Sequence, residues 1–167
     1  ILKSDRPIKT FQEKVPFHDY DAMYNRWWTK IREGHKDITW PGLNKYFAVS
    51  SGTTSASKYI PVTDEMLDAI RKTGIQQIIS LSKYDMPSDF FERQIMMLGS
   101  STGLKENNGF LKGEISGISA SQIPFWFQNF YKPGPEISAI ADWDKRVLKI
   151  AENAKNWDIG SISGIPS

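Results

Sequence analysis

The sequence predicts an α/β fold, in which helices are layered against sheets of short strands. Apolar residues recur at helical spacing over residues 22–32, after Thr63, and over residues 137–156. Between these segments lie strand-like runs, of which residues 95–98 form an uninterrupted apolar stretch ending at a glycine. Such a run is typical of a strand covered on both faces. Helices that alternate with buried strands indicate a layered α/β domain.

The composition is that of an ordinary soluble globular protein. The 167 residues are 40% hydrophobic and 24% charged, enough for one domain with its own core. A net charge of +2 without blocks of like charge gives no reason to expect nucleic acid or a membrane surface as partner. Because cysteine is absent, disulfides, thiolate metal sites and a cysteine nucleophile are excluded. With no membrane-spanning run and no signal-peptide pattern, we expect a cytoplasmic protein.

The first 35 residues predict an irregular segment followed by one helix. Pro16 favours an extended conformation before it, so Phe11–Pro16 is predicted to be extended. Asp19 or Asp21 is expected to cap a helix over residues 22–32 that ends at Gly34. His18 and His35 flank this helix, and solvated or capping roles are favoured over a shared metal. Since the chain lacks an initiator Met, we expect a fragment of a larger protein.

Further along the chain, the pattern predicts helices and strands in turn. Thr63 is expected to cap a helix, perhaps broken near Gly74, whose apolar stripe packs on a sheet. Residues 110–118 are predicted as a glycine-containing strand or bulged hairpin. The helix over residues 137–156 leads to a last strand at residues 159–162. Three aromatic residues are assigned either to the core or to the wall of an acyl pocket: Phe125, Trp126 and Phe127.

A hydroxyl-rich segment between the strand-like runs 46–49 and 58–62 is the strongest chemical signal. Hydroxyls, backbone N–H groups and a cation on a loop of small residues can bind an anion, above all phosphate. A Walker A loop is excluded, because only one glycine is present and no helix is expected to follow. A plain surface turn remains the alternative. We call this segment the hydroxyl loop; it comprises Ser50, Ser51, Gly52, Thr53, Thr54, Ser55, Ala56, Ser57 and Lys58.

The same segment also matches a short serine-hydrolase pattern. Ser55 and Lys58 satisfy the S-x-x-K of penicillin-recognising hydrolases, and Lys72-Thr73-Gly74 supplies a K-T-G. In those enzymes the serine opens a helix and the K-T-G lies on a strand. Here a strand is predicted after Lys58, the K-T-G lies in a helical pattern, and no S-D-N triplet occurs. The context therefore argues against this interpretation.

The hydroxyl loop resembles the [ST]-S-G-T-[TS]-x-x-x-K phosphate-binding loop of the adenylate-forming superfamily, which includes acyl-CoA synthetases and luciferases. The continuation Tyr59–Thr63 is similar to one branch, the acyl-acid amido synthetases of the auxin-responsive plant family and its bacterial relatives. Weaker resemblances follow in the expected order over most of the chain: Val15-Pro16 with Tyr20, Arg32-Glu33-Gly34, Gly113-Glu114-Ile115-Ser116-Gly117 and Ser163-Gly164-Ile165-Pro166-Ser167.

This resemblance implies that residues 1–167 are the N-terminal portion of the large domain of an adenylate-forming ligase. Such an enzyme activates a carboxylic acid with ATP and Mg²⁺ as an acyl-adenylate and passes the acyl group to an amino acid. The adenine, magnesium and late catalytic motifs would lie beyond residue 167, so this portion alone would be inactive. The residues that match the nucleotide-phosphate motif are Ser50, Ser51, Gly52, Thr53, Thr54 and Lys58.

The hydroxyl loop departs from the family pattern in two ways. The second glycine that often follows the threonine pair is absent, with Ser55 and Ala56 in its place. The spacing from Thr54 to Lys58 is also one residue shorter than in the plant branch, which leaves the role of Lys58 open. A non-catalytic nucleotide-binding or scaffold protein that retains the loop is the alternative from a different functional class.

Overall fold

The computed structural model describes residues 5–50 and 57–164, in two compact units. The first unit, residues 1–43, is helical where it is described. Helix α1 covers Pro7–Lys14. The next helical stretch consists of α2 (Tyr20–Met23), a π-helical segment (Tyr24–Trp28) and α3 (Thr29–Arg32).

The predicted helix after Asp19 is confirmed, and its ends have the expected chemistry. The Asp19 carboxylate accepts a hydrogen bond of 2.8 Å from the backbone N–H of Ala22, as an N-cap does. At the other end Gly34 adopts a positive φ of 86°. The N–H groups of Gly34 and His35 then bond to the carbonyls of Ile31 and Lys30, which is a Schellman motif. The helix begins two residues before the predicted start and contains the π segment.

The prediction of an extended segment at Phe11–Pro16 was wrong for most of its length. Pro7 stands at the first helical position, where its missing N–H costs nothing, and α1 runs from it to Lys14. Only Val15, directly before Pro16, has extended backbone angles, with φ −103° and ψ 110°. Pro16 therefore ends a helix without preventing one.

The second unit, residues 44–167, contains a four-stranded and a three-stranded sheet. The four-stranded sheet has the order β2-β1-β5-β4, in which β1 and β5 are parallel and the other pairs antiparallel. Pro61 lies on the edge strand β2 and has no N–H to donate to a neighbour. The strands are β1 (Tyr46–Ser50), β2 (Lys58–Val62), β4 (Lys105–Asn107) and β5 (Phe110–Gly113).

The three-stranded sheet is entirely parallel, with the order β6-β3-β7. The predicted apolar strand over residues 95–98 is its central member, half-buried along its whole length. The predicted last strand is confirmed and is two residues longer. The strands are β3 (Gln94–Leu98), β6 (Tyr131–Lys132) and β7 (Ile159–Gly164).

Four helices of the second unit join these strands: α4 (Asp64–Leu81), α5 (Ile115–Ser121), α6 (Pro135–Ser138) and α7 (Trp143–Ala154). Thr63 caps α4 as predicted, since its hydroxyl accepts from the N–H of Met66 at 3.1 Å. Gly74 does not interrupt this helix. Short 3₁₀ turns occupy Ser88–Glu92 and Phe125–Phe127.

Two element predictions in this unit were right only in part. Residues 110–118 were predicted as a strand or a bulged hairpin; the strand is confirmed over Phe110–Gly113, but helix α5 begins at Ile115. The helix predicted over residues 137–156 begins only at Trp143, where the Asp142 carboxylate accepts from the N–H of Lys145 at 2.9 Å. An N-cap signal thus decided the start where apolar spacing alone extended the helix too far.

The core between the four-stranded sheet and its helices is small. Val62, Leu67 and Ile118 are buried together, with Tyr46 and Ala48 of β1 packed against them. Of the apolar stripe predicted on α4, only Leu67 is buried, while other members such as Ile79, which is 62% exposed, face outward. The expectation that this stripe packs on a sheet therefore holds for one end of the helix.

None of the helices in residues 5–50 and 57–164 is long and apolar enough to cross a membrane. The cytoplasmic location stays a prediction.

The phenol of Tyr131, on β6, makes stability depend on pH. Burial raises the pKa of Tyr131 above its ordinary value of 10.0. The pKa of Tyr131 is higher in the folded than in the unfolded protein. The folded state therefore has its full stability below the unfolded pKa, where the phenol is neutral in both states, and loses part of it as pH rises through the folded pKa. We expect the free energy of unfolding to fall in this range, and Tyr131→Phe to remove part of the fall.

Urea unfolding at about pH 8 and about pH 11 measures this difference. Tyr84→Phe is the matched control, because that side chain is 69% exposed. The same loss of stability between the two pH values in Tyr131→Phe and in the unaltered protein would contradict the expectation.

Candidate functional site

The hydroxyl loop joins two paired strands, as predicted. Strands β1 and β2 are antiparallel, and Ser50 lies directly opposite Lys58. Directly paired residues of an antiparallel ladder point to the same face of the sheet, so a hydroxyl and an ammonium group stand on the same face where the two strands enter and leave the hydroxyl loop. Ser51, Gly52, Thr53 and Thr54 lie outside the described residues, as does Ser55. Of the six predicted site residues, the structure places Ser50 and Lys58.

The loop leaves the sheet at the carboxyl end of β1, beside the carboxyl end of β5. These two strands are parallel, with Ala48 opposite Gly113. The residue after Gly113 is Glu114, which is exposed and leads into α5. Ligands of α/β sheets bind at the carboxyl ends of strands. The register therefore puts the hydroxyl loop and Glu114 at the same edge.

The carboxyl end of β3, in the other sheet, is bonded to this edge through Ser100. The Ser100 hydroxyl donates to the Glu114 carboxylate. Its backbone N–H donates to the hydroxyl of Ser116, on α5, at 3.1 Å. Strand ends from both sheets are thus joined by polar contacts at the start of α5.

A buried arginine supports the same strand end from α7. Arg146 is only 5% exposed, and its guanidinium donates to the carbonyls of Ile140 at 2.7 Å and Gly99 at 3.1 Å. The Trp143 ring lies 5.1 Å from the guanidinium carbon. Burial lowers the pKa of Arg146, and the nearby Glu114 carboxylate opposes that shift. Because an arginine nevertheless stays protonated in proteins, Arg146 places a fixed positive charge beside the carbonyl of Gly99.

The backbones of α5 and the segment after β3 approach closely. A Cβ atom on Gly117 would lie 2.1 Å from the Ser101 carbonyl oxygen, which is a clash with backbone. Gly117 is buried, so only glycine permits this packing. The reason for a glycine at this position is therefore the close approach of two backbone segments.

Lys112, on β5, contacts Tyr59, on β2. The Lys112 ammonium lies 3.4 Å from the Tyr59 hydroxyl and 5.6 Å from the ring centroid. Tyr59 directly follows Lys58 on strand β2, so this contact ties the start of β2 to β5. Its effect is to fix the strand that carries Lys58.

The histidines behave as expected of solvated or locally bonded side chains. The Nδ1 atom of His18 lies 3.0 Å from the Pro16 carbonyl, and that of His35 lies 3.0 Å from the Lys30 carbonyl. Within the part of the chain that the structure describes, no group of three or more His, Cys, Asp or Glu side chains is placed to hold a metal.

The three aromatic residues differ in their exposure. Phe125 is 83% exposed and Trp126 60%, whereas Phe127 is half-buried. The assignment to the core was therefore wrong for Phe125 and Trp126. Their assignment to the wall of an acyl pocket stays a prediction.

The residues of the S-x-x-K and K-T-G patterns that the structure describes lie in the elements predicted for them, a strand and a helix. Lys58 opens a strand, and Lys72, Thr73 and Gly74 lie within helix α4. Neither matches the hydrolase arrangement, in which the serine opens a helix and the K-T-G lies on a strand.

A comparison with known protein families shows to which family the chain belongs. The family model described as the GH3 family N-terminal domain matches residues 2–149. The chain belongs to the GH3 family. This is the family of auxin-responsive acyl-acid amido synthetases within the adenylate-forming superfamily, so the resemblance seen in the sequence is confirmed. A comparison with curated proteins finds no match.

Within this GH3 domain, sequence reasoning missed the residues that organise the edge beside the hydroxyl loop. Ser100 belongs to no motif of the sequence, and Arg146 lies within the helix predicted over residues 137–156. One signal was present: Arg146 stands three residues after Trp143 and four before Ile150, on an otherwise apolar face. A cation at such a position needs partners, and here they are backbone carbonyls of two loops.

Proposed function

We propose that the full-length protein is an ATP-dependent ligase that joins a carboxylic acid to an amino acid. The proposal is supported by membership of the GH3 family together with one structural observation. That observation is the hairpin that places Ser50 opposite Lys58 at the two ends of the hydroxyl loop. The loop is the part of this chain whose chemistry suits the phosphates of a nucleotide.

The reaction has two steps. In the first, a carboxylate oxygen of the acid attacks the α-phosphorus of ATP, and the bond to pyrophosphate breaks. In the second, the amine of the amino acid attacks the acyl carbon, the bond to AMP breaks, and the amine gives up a proton. The first step gives an acyl-adenylate, and the second joins the acid and the amino acid as an amide.

The first step brings two anions together, and the hydroxyl loop would offset their repulsion. Hydroxyl and backbone N–H donors, with a lysine ammonium, can neutralise and orient phosphate oxygens. Ser50 and Lys58 are held in register by strand pairing, so the loop between them has fixed ends. We assign nucleotide-phosphate binding to Ser50, Ser51, Gly52, Thr53, Thr54 and Lys58.

The residues present fit ATP better than they fit its metal. The donor set of the hydroxyl loop is made of hydroxyls, N–H groups and an ammonium, all of which suit anions. Mg²⁺ prefers carboxylate, water and phosphate oxygens, and it supplies charge neutralisation at the phosphates when it is bound. In this proposal it arrives with ATP and is held largely by the phosphates.

Acid-dependent release of pyrophosphate from ATP tests the proposal. The full-length protein is incubated with ATP, Mg²⁺, a panel of aromatic and aliphatic acids, and the common amino acids. We expect release with at least one acid, and amide formation when a suitable amino acid is added. Release without any dependence on acid, or none with any pairing, would contradict the ligase assignment.

If ATP binds but no acid is activated, the protein is a non-catalytic nucleotide-binding member of the family. A fluorescent penicillin tests the hydrolase interpretation in parallel, because covalent labelling of Ser55 is its minimal requirement. We expect no labelling.

A further inference from the structure

A chain of contacts joins the buried charge of Arg146 to the exposed carboxylate of Glu114. Arg146 holds the carbonyl of Gly99 at 3.1 Å, and the next residue, Ser100, donates its hydroxyl to Glu114. The backbone N–H of Ser100 is also bound, to Ser116 at 3.1 Å. Ser100 is therefore held on both sides, and it holds the Glu114 carboxylate in one place.

Glu114 lies at the edge from which the hydroxyl loop departs. Gly113 pairs with Ala48 in the parallel register, so Glu114, one residue later, lies level with Val49, the residue before Ser50. A negative charge at this edge opposes the binding of an anionic nucleotide. The repulsion is weaker when a donor holds the carboxylate and a nearby cation offsets its charge; Ser100 is that donor and Arg146 that cation.

We propose that Arg146 is a positioning residue that, through Gly99 and Ser100, holds the Glu114 carboxylate and compensates its charge so that nucleotide phosphates can approach the hydroxyl loop. This inference rests on the proposed function. It assigns to Arg146 and Ser100 a role in nucleotide affinity that acts through Glu114.

A purely structural role for Arg146 makes a different prediction. If Arg146 only packs α7 against β3, its loss lowers stability, and the charge of Glu114 is irrelevant. If Arg146 compensates the charge of Glu114, removing both charges restores the ATP affinity that is lost when only Arg146 is replaced. The dependence of one substitution on the other therefore separates the two roles.

The experiment measures ATP affinity of the full-length protein by titration calorimetry, with thermal unfolding recorded for each variant. We expect Arg146→Met to weaken ATP binding by about 10-fold, the effect of one uncompensated charge near the phosphates. We expect Glu114→Gln to bind ATP at least as well as the unaltered protein. The double variant should return to within about 3-fold of Glu114→Gln alone.

Ser100→Ala gives a second, milder test in case Arg146→Met fails to fold. It removes the hydrogen bond to Glu114 and leaves the buried arginine in place, and Glu114→Gln should suppress its effect as well. Arg93→Met is the matched control, because Arg93 forms exposed ion pairs with Asp89 and Asp158. It should leave ATP affinity unchanged.

Two outcomes overturn the inference separately from the function. Unchanged ATP affinity in Ser100→Ala and Arg146→Met, in a protein that binds ATP, refutes the positioning role and leaves the ligase proposal intact. A loss in either variant that Glu114→Gln does not restore reduces that residue to a structural role. Absence of ATP binding to the unaltered protein instead refutes the proposed function, and this inference with it.

Discussion

Replacing Gly117 with alanine is expected to destabilise the domain by about 3 kcal/mol or more. The added Cβ would lie 2.1 Å from the carbonyl oxygen of Ser101 and 3.0 Å from its carbonyl carbon. Both are backbone atoms, so the clash cannot be relieved by turning a side chain. Helix α5 or the segment after β3 must move, and each carries part of the contact between the two sheets.

The measurement is denaturant unfolding of Gly117→Ala beside Gly74→Ala. Both glycines lie within helices, but nothing lies within 4 Å of a Cβ on Gly74. Alanine there should stabilise by about 0.5–1 kcal/mol, because glycine in a helix loses more backbone entropy. The two substitutions therefore change stability in opposite directions. Equal effects, or a neutral Gly117→Ala, would contradict the close packing of α5.

Replacing Lys58 with alanine is expected to weaken ATP binding by roughly 10- to 100-fold, the range for a lost hydrogen bond to a charged group. Lys58 stands opposite Ser50 at the end of the hydroxyl loop, so the loss of its ammonium removes positive charge where the phosphates are proposed to bind. Thr53→Ala should act in the same direction with a smaller effect, since it removes one neutral donor. ATP titration of the full-length protein measures both.

Lys72→Ala is the matched control for Lys58→Ala. Lys72 is exposed on α4, outside the hydroxyl loop, and its replacement should leave ATP affinity unchanged. Thermal unfolding of each variant separates lost binding from lost structure. If Lys58→Ala and Thr53→Ala bind ATP as tightly as the unaltered protein, the hydroxyl loop is not the phosphate site. The short spacing from Thr54 to Lys58 would then mark a real departure from the family.

The sequence predicted well wherever a signal is local. Thr63 was predicted as an N-cap, and Asp19 as one of two candidates, because a cap is a bond between residues two or three positions apart. The strand over residues 95–98 followed from its unbroken apolar character, which is typical of a strand covered on both faces. Local patterns failed where two interpretations share one pattern, as at residues 110–118 and at the start of α7.

By itself, the sequence determined the family, the hairpin and the candidate phosphate-binding residues, since these depend on residue types at short spacings. Only the tertiary structure decided that Gly113 ends a strand and that Gly117 permits a close backbone contact with Ser101. It also decided that Arg146 is buried and that Glu114 meets Ser100. These contacts join residues that are 14 to 47 positions apart, and their energies depend on which elements pack together, which no short pattern encodes.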